Sequence, residues 1–249
     1  MNKTPQLIVA LDVDSLGQVR ELVEKLEDVV DIFKVGSQLF TACGPAAVRF
    51  IQARGKKVFL DLKYHDIPNT VASAVKSATG LGEAVERNAD KEKNKEKVQS
   101  SLFMYTVHTC GGVEMMKAAV LAGTQVAENI GVKLPLAVGV TVLTSEQKQD
   151  NILPLVLERA ALAKEAGLQG VVASCHEARH IREKFGPDFV IVTPGIRPAG
   201  ADVQDQKRVA TPKEAMESGS NFLVVGRPIV QAEDPHKAAQ QILKELQSS

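Results

Sequence analysis

Oppositely charged residues are concentrated in one short stretch, DLKYHDIPNT, which runs from Asp61 to Thr70. The overlapping run KKVFLDLK has the apolar and aromatic residues that are typical of a buried strand. Because side chains alternate between the two faces of a strand, Asp61 and Lys63 are expected on the same face as Phe59. A carboxylate and an ammonium group would then share one face of a core strand, where they could serve a functional pocket. The alternative is a surface salt bridge at an exposed strand end, which contributes little.

Short apolar runs supply the framework for these charges. Eight of them are predicted to be strands: LIVALDV, IFKVG, KVFLDLK, LFMYTVHT, LAVGVTV, GVVASC, VIVTPGI and FLVVGR. Amphipathic helix patterns such as SLGQVRELVEKLED and GVEMMKAAVLAG lie between them. This alternation predicts the α/β class and a closed (β/α)8 TIM barrel rather than an open doubly wound sheet. No GxGxxG motif follows the first strand, so a dinucleotide-binding site would lack its phosphate loop.

One highly charged segment interrupts the alternation. EAVERNADKEKNKEKVQSS, residues 83–101, lies between the third helix and the fourth strand, where about two to six residues are usual. It has almost no apolar residues, so we expect a solvated helical extension or a mobile loop. In a barrel this connection lies on the face opposite the active site. We therefore predict a single domain over residues 1–249, with a charged insertion at about 83–101 that has no catalytic role.

The composition excludes several classes of function. The chain has 249 residues and a formal net charge of zero, so no global basic field favours nucleic acid or an anionic membrane. The apolar runs are too short to span a bilayer, and the start MNKTPQLIVALDVD lacks a signal-peptide core, which predicts a cytoplasmic protein. Cys43, Cys110 and Cys175 are widely spaced, which favours reduced thiols over a disulfide framework or a zinc site. Cys175 could be a nucleophile, but nothing nearby resembles the combination of base and orienting group that such a thiol needs.

Charged residues recur where the first three predicted strands end. Asp12 follows the first strand, Lys34 lies in FKVG, and Asp61, Lys63 and Asp66 belong to the third. Active sites of such barrels are built at the carboxyl ends of the strands. Charges in an apolar barrel are costly to desolvate unless they compensate one another, and Lys34, Asp61, Lys63 and Asp66 alternate in sign along the sequence. The recurrence favours a functional site over a structural ion-pair network.

The last two predicted strands indicate a site for an anion. A loop containing glycine and aspartate, PAGADVQDQKR, follows the seventh strand, and the eighth ends in VVGRPI. The loops after these strands often bind phosphate in barrels, where backbone N–H groups and a guanidinium can meet the anion. Gly226 and Arg227 are the candidates for that contact. The alternative is that Arg227 packs on a helix terminus.

Motifs along nearly the whole chain resemble those of the orotidine 5′-phosphate decarboxylase family, in that family's order. They are ALDV, FKVG, FLDLKYHDIPNTV, VHTCGG, VTVLTS, VTPGIR, DQKRVATP and VVGRPI. DxKxxD alone is shared with related sugar-phosphate decarboxylases and aldolases, whereas its combination with DIPNT, TPGIR and VVGR is far more specific. The resemblance implies conversion of orotidine 5′-monophosphate to uridine 5′-monophosphate and carbon dioxide in pyrimidine synthesis, without a metal or organic cofactor.

The resemblance also implies roles for individual residues. Lys63 would stabilise a carbanion at C6 of the pyrimidine and protonate it, while Asp61 would face the departing carboxylate. Lys34 and Asp66 would hold those two groups in place, which completes the implied catalytic set. The implied substrate-binding residues are Asp12, Lys34, Ile67, Thr70, Thr144, Arg197, Gln206, Gly226 and Arg227.

Several of these binding residues have a more specific implied contact. Asp12 and Thr70 would contact the ribose, Thr144 would touch the base, and Gln206 would bridge base and phosphate. The family resemblance further implies a homodimer with shared active sites, in which Asp66 and Thr70 reach in from the neighbouring subunit.

Two other functions remain open from the sequence. A magnesium-dependent decarboxylase or aldolase of the same superfamily would use acidic residues as oxygen ligands for the metal. Those relatives have an acidic residue at the position that resembles that of Lys34 here. Because a protonated lysine cannot bind Mg²⁺, Lys34 argues against that activity. A non-catalytic nucleotide-binding barrel is the second alternative, and the full set of charges argues against it. His108, at the end of the fourth predicted strand, is interpreted as structural.

Overall fold

The computed structural model describes residues 4–82, 102–143, 152–198 and 209–247. Eight parallel strands follow one another around a closed barrel, and β8 pairs with β1. The strands are β1 (Gln6–Ala10), β2 (Ile32–Gly36), β3 (Lys57–Tyr64), β4 (Met104–His108), β5 (Leu136–Val140), β6 (Gly170–Val172), β7 (Val190–Thr193) and β8 (Phe222–Val225). The predicted TIM barrel is confirmed.

Helices connect the strands on the outside of the barrel. Within the described ranges they are α1 (Leu16–Leu26), α2 (Ser37–Cys43), α3 (Pro45–Ala53), α4 (Pro68–Thr79), α5 (Gly112–Ile130), α6 (Leu153–Glu165), α7 (Cys175–Phe185), α8 (Pro212–Glu217), α9 (Arg227–Val230) and α10 (Pro235–Gln247). The short helix α2, which directly follows β2, has no counterpart among the sequence predictions. No helix in these ranges is long and apolar enough to cross a lipid bilayer.

Alternation along the strands divides the apolar residues into two layers. One layer lies between the barrel and its helices and includes Val9, Phe33 and Leu60. The other is smaller and fills the barrel interior, and its buried members are Ile8, Ala10, Ile32, Phe59, Met104, Val138, Val192, Phe222 and Val224. Successive inward positions on three strands lead from this interior layer to charged residues at the carboxyl ends. Ala10 leads to Asp12, Ile32 leads to Lys34, and Phe59 leads to Asp61.

The predicted insertion lies outside the described residues. Its flanks are described: a 3₁₀ turn, Gly80–Gly82, precedes it, and Leu102 follows it just before the amino end of β4. The single-domain organisation with an insertion at about 83–101 therefore stays a prediction.

Candidate active site

Four charged side chains from three strands meet at the carboxyl end of the barrel, and we call them the charged cluster: Asp12, Lys34, Asp61 and Lys63. Lys34 Nζ donates a hydrogen bond to Asp12 Oδ1 at 3.0 Å and lies 3.7 Å from Asp61 Oδ2. Lys63 Nζ donates to the same Asp61 Oδ2 at 2.9 Å. The contacts therefore join carboxylate, ammonium, carboxylate and ammonium in one alternating series.

Burial makes this alternation necessary. The side chains of Lys34 and Asp61 are only 11% and 13% exposed, while that of Lys63 is 35% exposed. A buried ion loses its hydration, and an opposite charge in direct contact offsets that loss. Asp61 lies between two ammonium groups and Lys34 lies between two carboxylates. The folded chain thus holds each charge in a fixed place before any ligand binds.

A local distortion of β3 places the side chain of Lys63. The register between β3 and β4 shifts between Leu60 and Tyr64, as in a β-bulge. Lys63 has a φ of 52°, and it is the one non-glycine residue with a positive φ in the described part of the chain. Such a left-handed conformation costs about 1–2 kcal/mol for an L-residue. Strain of this kind concentrates at functional sites, where surrounding contacts hold it in place.

Thr106 on β4 holds this distortion, and the sequence analysis missed it. Its hydroxyl oxygen accepts a hydrogen bond from the backbone N–H of Lys63 at 2.8 Å. The same hydroxyl donates to Asp61 Oδ1 at 3.0 Å, and the residue is fully buried. A sequence signal exists, because Thr106 is a polar residue two positions after inward-facing Met104 in a buried run.

A glycine leaves the space that the Lys34 ammonium occupies. A Cβ atom built on Gly36 would lie 2.8 Å from Lys34 Nζ and 3.5 Å from Asp12 Oδ1. Because it has no side chain, the glycine of the FKVG motif lets the Lys34 ammonium lie in its place within the charged cluster. On the other side, a Cβ atom on Gly226 would lie 3.4 Å from Asp12 Oδ2.

The charged cluster forms one wall of a cavity of about 250 Å³ at the mouth of the barrel. Arg197, Gly226 and Arg227, which follow β7 and β8, line the cavity as well. Apolar side chains complete the lining, among them Val140, Val142, Leu143, Val172 and Val192. The cavity therefore combines fixed charges, an apolar surface and two arginine residues, which suits a ligand with an anionic group and an apolar body.

Three predicted site residues lie outside the cavity of their own chain. Asp66, Ile67 and Thr70 are exposed and do not contribute to its lining. Asp66 Oδ1 accepts a hydrogen bond from the Ile67 backbone N–H at 2.6 Å, at the start of α4. Ile67 is 66% exposed, which is unusual for a large apolar side chain. Predicted residues Thr144 and Gln206 lie outside the described residues.

Two further candidates lie apart from the charged cluster. Cys175 is buried at the start of α7, and burial raises the pKa of its thiol, which disfavours the thiolate that a nucleophile needs. Its Sγ lies 3.3 Å from Ser218 Oγ. His108 ends β4, with its ring centroid 5.7 Å from that of His65, and it is not among the residues that line the cavity.

Comparison with known proteins identifies the family. The sequence model of the Orotidine 5′-phosphate decarboxylase / HUMPS family matches residues 5–242. The chain belongs to this family. A protein of Moorella thermoacetica named orotidine 5′-phosphate decarboxylase is 44% identical, over 99% of this chain and 94% of the relative. One of Geobacter sulfurreducens with the same name is 45% identical, over 97% of this chain and 95% of the relative.

A solved structure agrees with these relatives. The crystal structure of orotidine 5′-phosphate decarboxylase from Lactobacillus acidophilus has a TM-score of 0.77 and 36% sequence identity to this chain. The similarity covers 97% of this chain and 99% of that one. The family resemblance inferred from the sequence motifs is therefore confirmed.

Proposed function

We propose that this protein decarboxylates orotidine 5′-monophosphate to uridine 5′-monophosphate and carbon dioxide, a step of pyrimidine biosynthesis. Two relatives that are 44% and 45% identical to this chain over nearly their whole length are named for that activity. The observation that carries the proposal is the charged cluster, in which Lys63 and Asp61 are in contact at the mouth of the barrel.

The reaction demands fixed charges. When the bond between C6 and the carboxylate breaks, its electron pair stays on C6, and no adjacent group delocalises the pair in the usual way. Preorganised charges stabilise such an intermediate without reorganising during the reaction. Lys63 lies opposite the developing carbanion and then transfers an ammonium proton to C6, regaining a proton from solvent. Asp61 faces the departing carboxylate, and Lys34 and Asp66 hold Asp61 and Lys63 in place.

The remainder of the cavity binds the nucleotide. Asp12 contacts the ribose, and Arg197 and Arg227 with the Gly226 backbone hold the phosphate end. Binding energy from a non-reacting phosphate can drive loop closure and lower the barrier to the chemical step. Gln206 and Thr144, as contacts to phosphate and base, remain predictions on residues outside the described ranges.

We propose that two chains share each site. Asp66, Ile67 and Thr70 are exposed and do not line the cavity of their own chain. The family resemblance nevertheless assigns Asp66 to the catalytic set and Ile67 and Thr70 to substrate binding. In a two-fold dimer every contact occurs twice, so these residues can enter the partner's pocket while the partner's equivalents enter this one. The exposed Ile67 side chain would be covered in the same contact.

The two other functions fit the site less well. A magnesium-dependent relative needs oxygen ligands around a metal, but Lys34 Nζ lies 3.0 Å from Asp12 Oδ1 and 3.7 Å from Asp61 Oδ2. A protonated lysine thus lies where it would repel a second cation. A barrel that only binds nucleotides would have no use for the alternating charges of Lys34, Asp61 and Lys63, which are held in contact at the mouth of the barrel.

A cytoplasmic location is part of the proposal. The substrate and product are charged nucleotides, and cells synthesise pyrimidine nucleotides in the cytoplasm. Cys43, Cys110 and Cys175 are free thiols, as is usual in a reducing compartment.

A direct assay tests the proposed function. Purified protein is mixed with orotidine 5′-monophosphate in the presence of EDTA, and conversion to the uridine nucleotide is followed by ultraviolet absorbance. We expect turnover that is unaffected by the chelator. Turnover that needs added Mg²⁺ would favour the metal-dependent alternative. Binding of the nucleotide without any turnover would favour the non-catalytic barrel.

A further inference from the structure

We propose that Thr106 is a positioning residue for the decarboxylation proposed above, on which this inference rests. Its hydroxyl links the Asp61 carboxylate and the Lys63 backbone, so that one side chain sets the relative geometry of two catalytic groups. Thr106 itself does not line the cavity, so its action on the substrate is indirect.

The direction of both hydrogen bonds is fixed. The backbone N–H of Lys63 can only donate, so the Thr106 oxygen accepts there at 2.8 Å. The hydroxyl hydrogen is then available for Asp61 Oδ1, at 3.0 Å. A hydroxyl has one hydrogen to donate and lone pairs that accept. Thr106 can therefore accept from the Lys63 N–H and donate to Asp61 Oδ1 at the same time.

The bond to Lys63 lies where the register between β3 and β4 shifts. Paired positions between β3 and β4 pass from Leu60 opposite Tyr105 to Tyr64 opposite Val107, with the shift between them. Lys63 lies in this shifted stretch with its φ at 52°. Without the Thr106 hydroxyl, the Lys63 N–H would lose its partner at the point where the backbone is strained. The strained turn, which aims the Lys63 side chain, would then be less well determined.

The bond to Asp61 fixes the plane of its carboxylate. Lys63 Nζ and Lys34 Nζ both contact Oδ2, at 2.9 Å and 3.7 Å, while Thr106 contacts Oδ1. Loss of the hydroxyl would leave the ion pairs on Oδ2 but free Oδ1, so the carboxylate could rotate. A misplacement of about 1 Å at a catalytic group can reduce a rate by about 100-fold.

This arrangement predicts a separation of kcat from binding. Arg197 and Arg227 hold the phosphate end through contacts that do not involve Thr106, so nucleotide affinity should be retained. Thr106→Val removes the hydroxyl and keeps the shape, and we expect kcat to fall about 10-fold to 100-fold. Thr106→Ser restores the hydroxyl, and we expect kcat within about threefold of the unaltered protein.

A matched control separates positioning from general destabilisation. Thr193 on β7 is also fully buried, and its hydroxyl lies 2.7 Å from Ser220 Oγ, away from the charged cluster. Thr193→Val should lower Tm and leave kcat unchanged. Product affinity, measured as the Kd of uridine 5′-monophosphate by calorimetry, should change less than threefold in Thr106→Val. If valine prevents folding, Thr106→Ala gives the same measurements with a smaller side chain.

Three results would overturn the inference. The first is a kcat for folded Thr106→Val or Thr106→Ala within threefold of the unaltered protein. The second is a rise in product Kd by the factor by which kcat falls, since that would indicate general damage to the pocket. The third is failure of Thr106→Ser to restore kcat. An unaltered protein without turnover would overturn the proposed function as well, so the two failures are distinguishable.

Discussion

Gly36→Ala tests whether the placement of the Lys34 ammonium matters for catalysis. The added Cβ would lie 2.8 Å from Lys34 Nζ, whereas ordinary contacts begin at 3.4 Å, so the ammonium has to retreat by about 0.6 Å. The backbone accepts alanine, because Gly36 has a φ of −94° and a ψ of −179°. The group that must move is the end of a flexible side chain, so the fold should persist.

The size of the effect follows from the distances in the charged cluster. Lys34 Nζ lies 3.0 Å from Asp12 Oδ1 and 3.7 Å from Asp61 Oδ2. With an effective dielectric constant of about 20, lengthening either contact by about 0.6 Å weakens the attraction by roughly 0.6–0.9 kcal/mol. Displacement from one or both carboxylates therefore corresponds to roughly 0.6–1.5 kcal/mol, or a fall of about 3-fold to 13-fold in kcat/KM.

Steady-state kinetics on orotidine 5′-monophosphate and thermal unfolding measure the two expected results. Gly36→Ala should lose activity while its Tm stays close to that of the unaltered protein. Gly80→Ala is the matched control, since an added Cβ there meets no atom within 4 Å and the residue lies outside the charged cluster. It should keep full activity. A kcat/KM for Gly36→Ala within twofold of the control would refute the reasoning, since the ammonium would then tolerate displacement.

Three other changes test different parts of the proposed site. Lys63→Ala removes the counter-charge and the proton donor, so kcat should fall by at least the roughly 100-fold to 1,000-fold of one lost oxyanion donor; a third of native kcat would exclude Lys63 from the mechanism. Lys63→Ala and Asp66→Ala chains, refolded together, should recover about a quarter of native activity, because about half the dimers are hybrids with one intact pocket of two. Activity that stays at the parental mean, with hybrids confirmed by native mass spectrometry, would contradict a shared site. Replacing residues 83–101 by a short glycine-containing turn should leave kcat/KM within about threefold, because Leu102 leads into the amino end of β4, opposite the site. Lost activity with an unchanged circular dichroism spectrum would show that the segment contributes to catalysis.

The sequence predicted the barrel and the direction of its charged side chains because both depend on local periodicity. Asp61 follows Phe59 at an interval of two, and an inward position on a regular strand remains inward along its length, whereas the distortion of β3 sets the direction of Lys63. The carboxyl ends of parallel strands meet at one end of a barrel, and this is where Asp12, Lys34, Asp61 and Lys63 lie in contact although they are far apart in sequence. Neither inference requires the distance between any two atoms in the folded protein.

Thr106 and Gly36 could not be assigned in this way, because their importance depends on neighbours from other parts of the fold. The Thr106 hydroxyl matters through its contacts with β3, 43 and 45 residues away in sequence. Gly36 matters through the position of one ammonium group. The placement of Asp66 depends on a second chain in the proposed dimer, so neither the sequence nor one subunit contains that contact.

The left-handed backbone at Lys63 lowers the stability of the fold at a residue that the proposed reaction needs. Glycine would relieve about 1–2 kcal/mol of conformational strain at this position, but glycine has no ammonium group. A domain is typically stable by only about 5–15 kcal/mol, so one such residue uses a noticeable part of the margin against unfolding. Selection for thermal resistance alone would therefore drive this position toward glycine. An attempt to engineer a more stable variant should leave β3 unchanged and change helix residues instead, because no helical non-glycine residue in the described part of the chain has a positive φ.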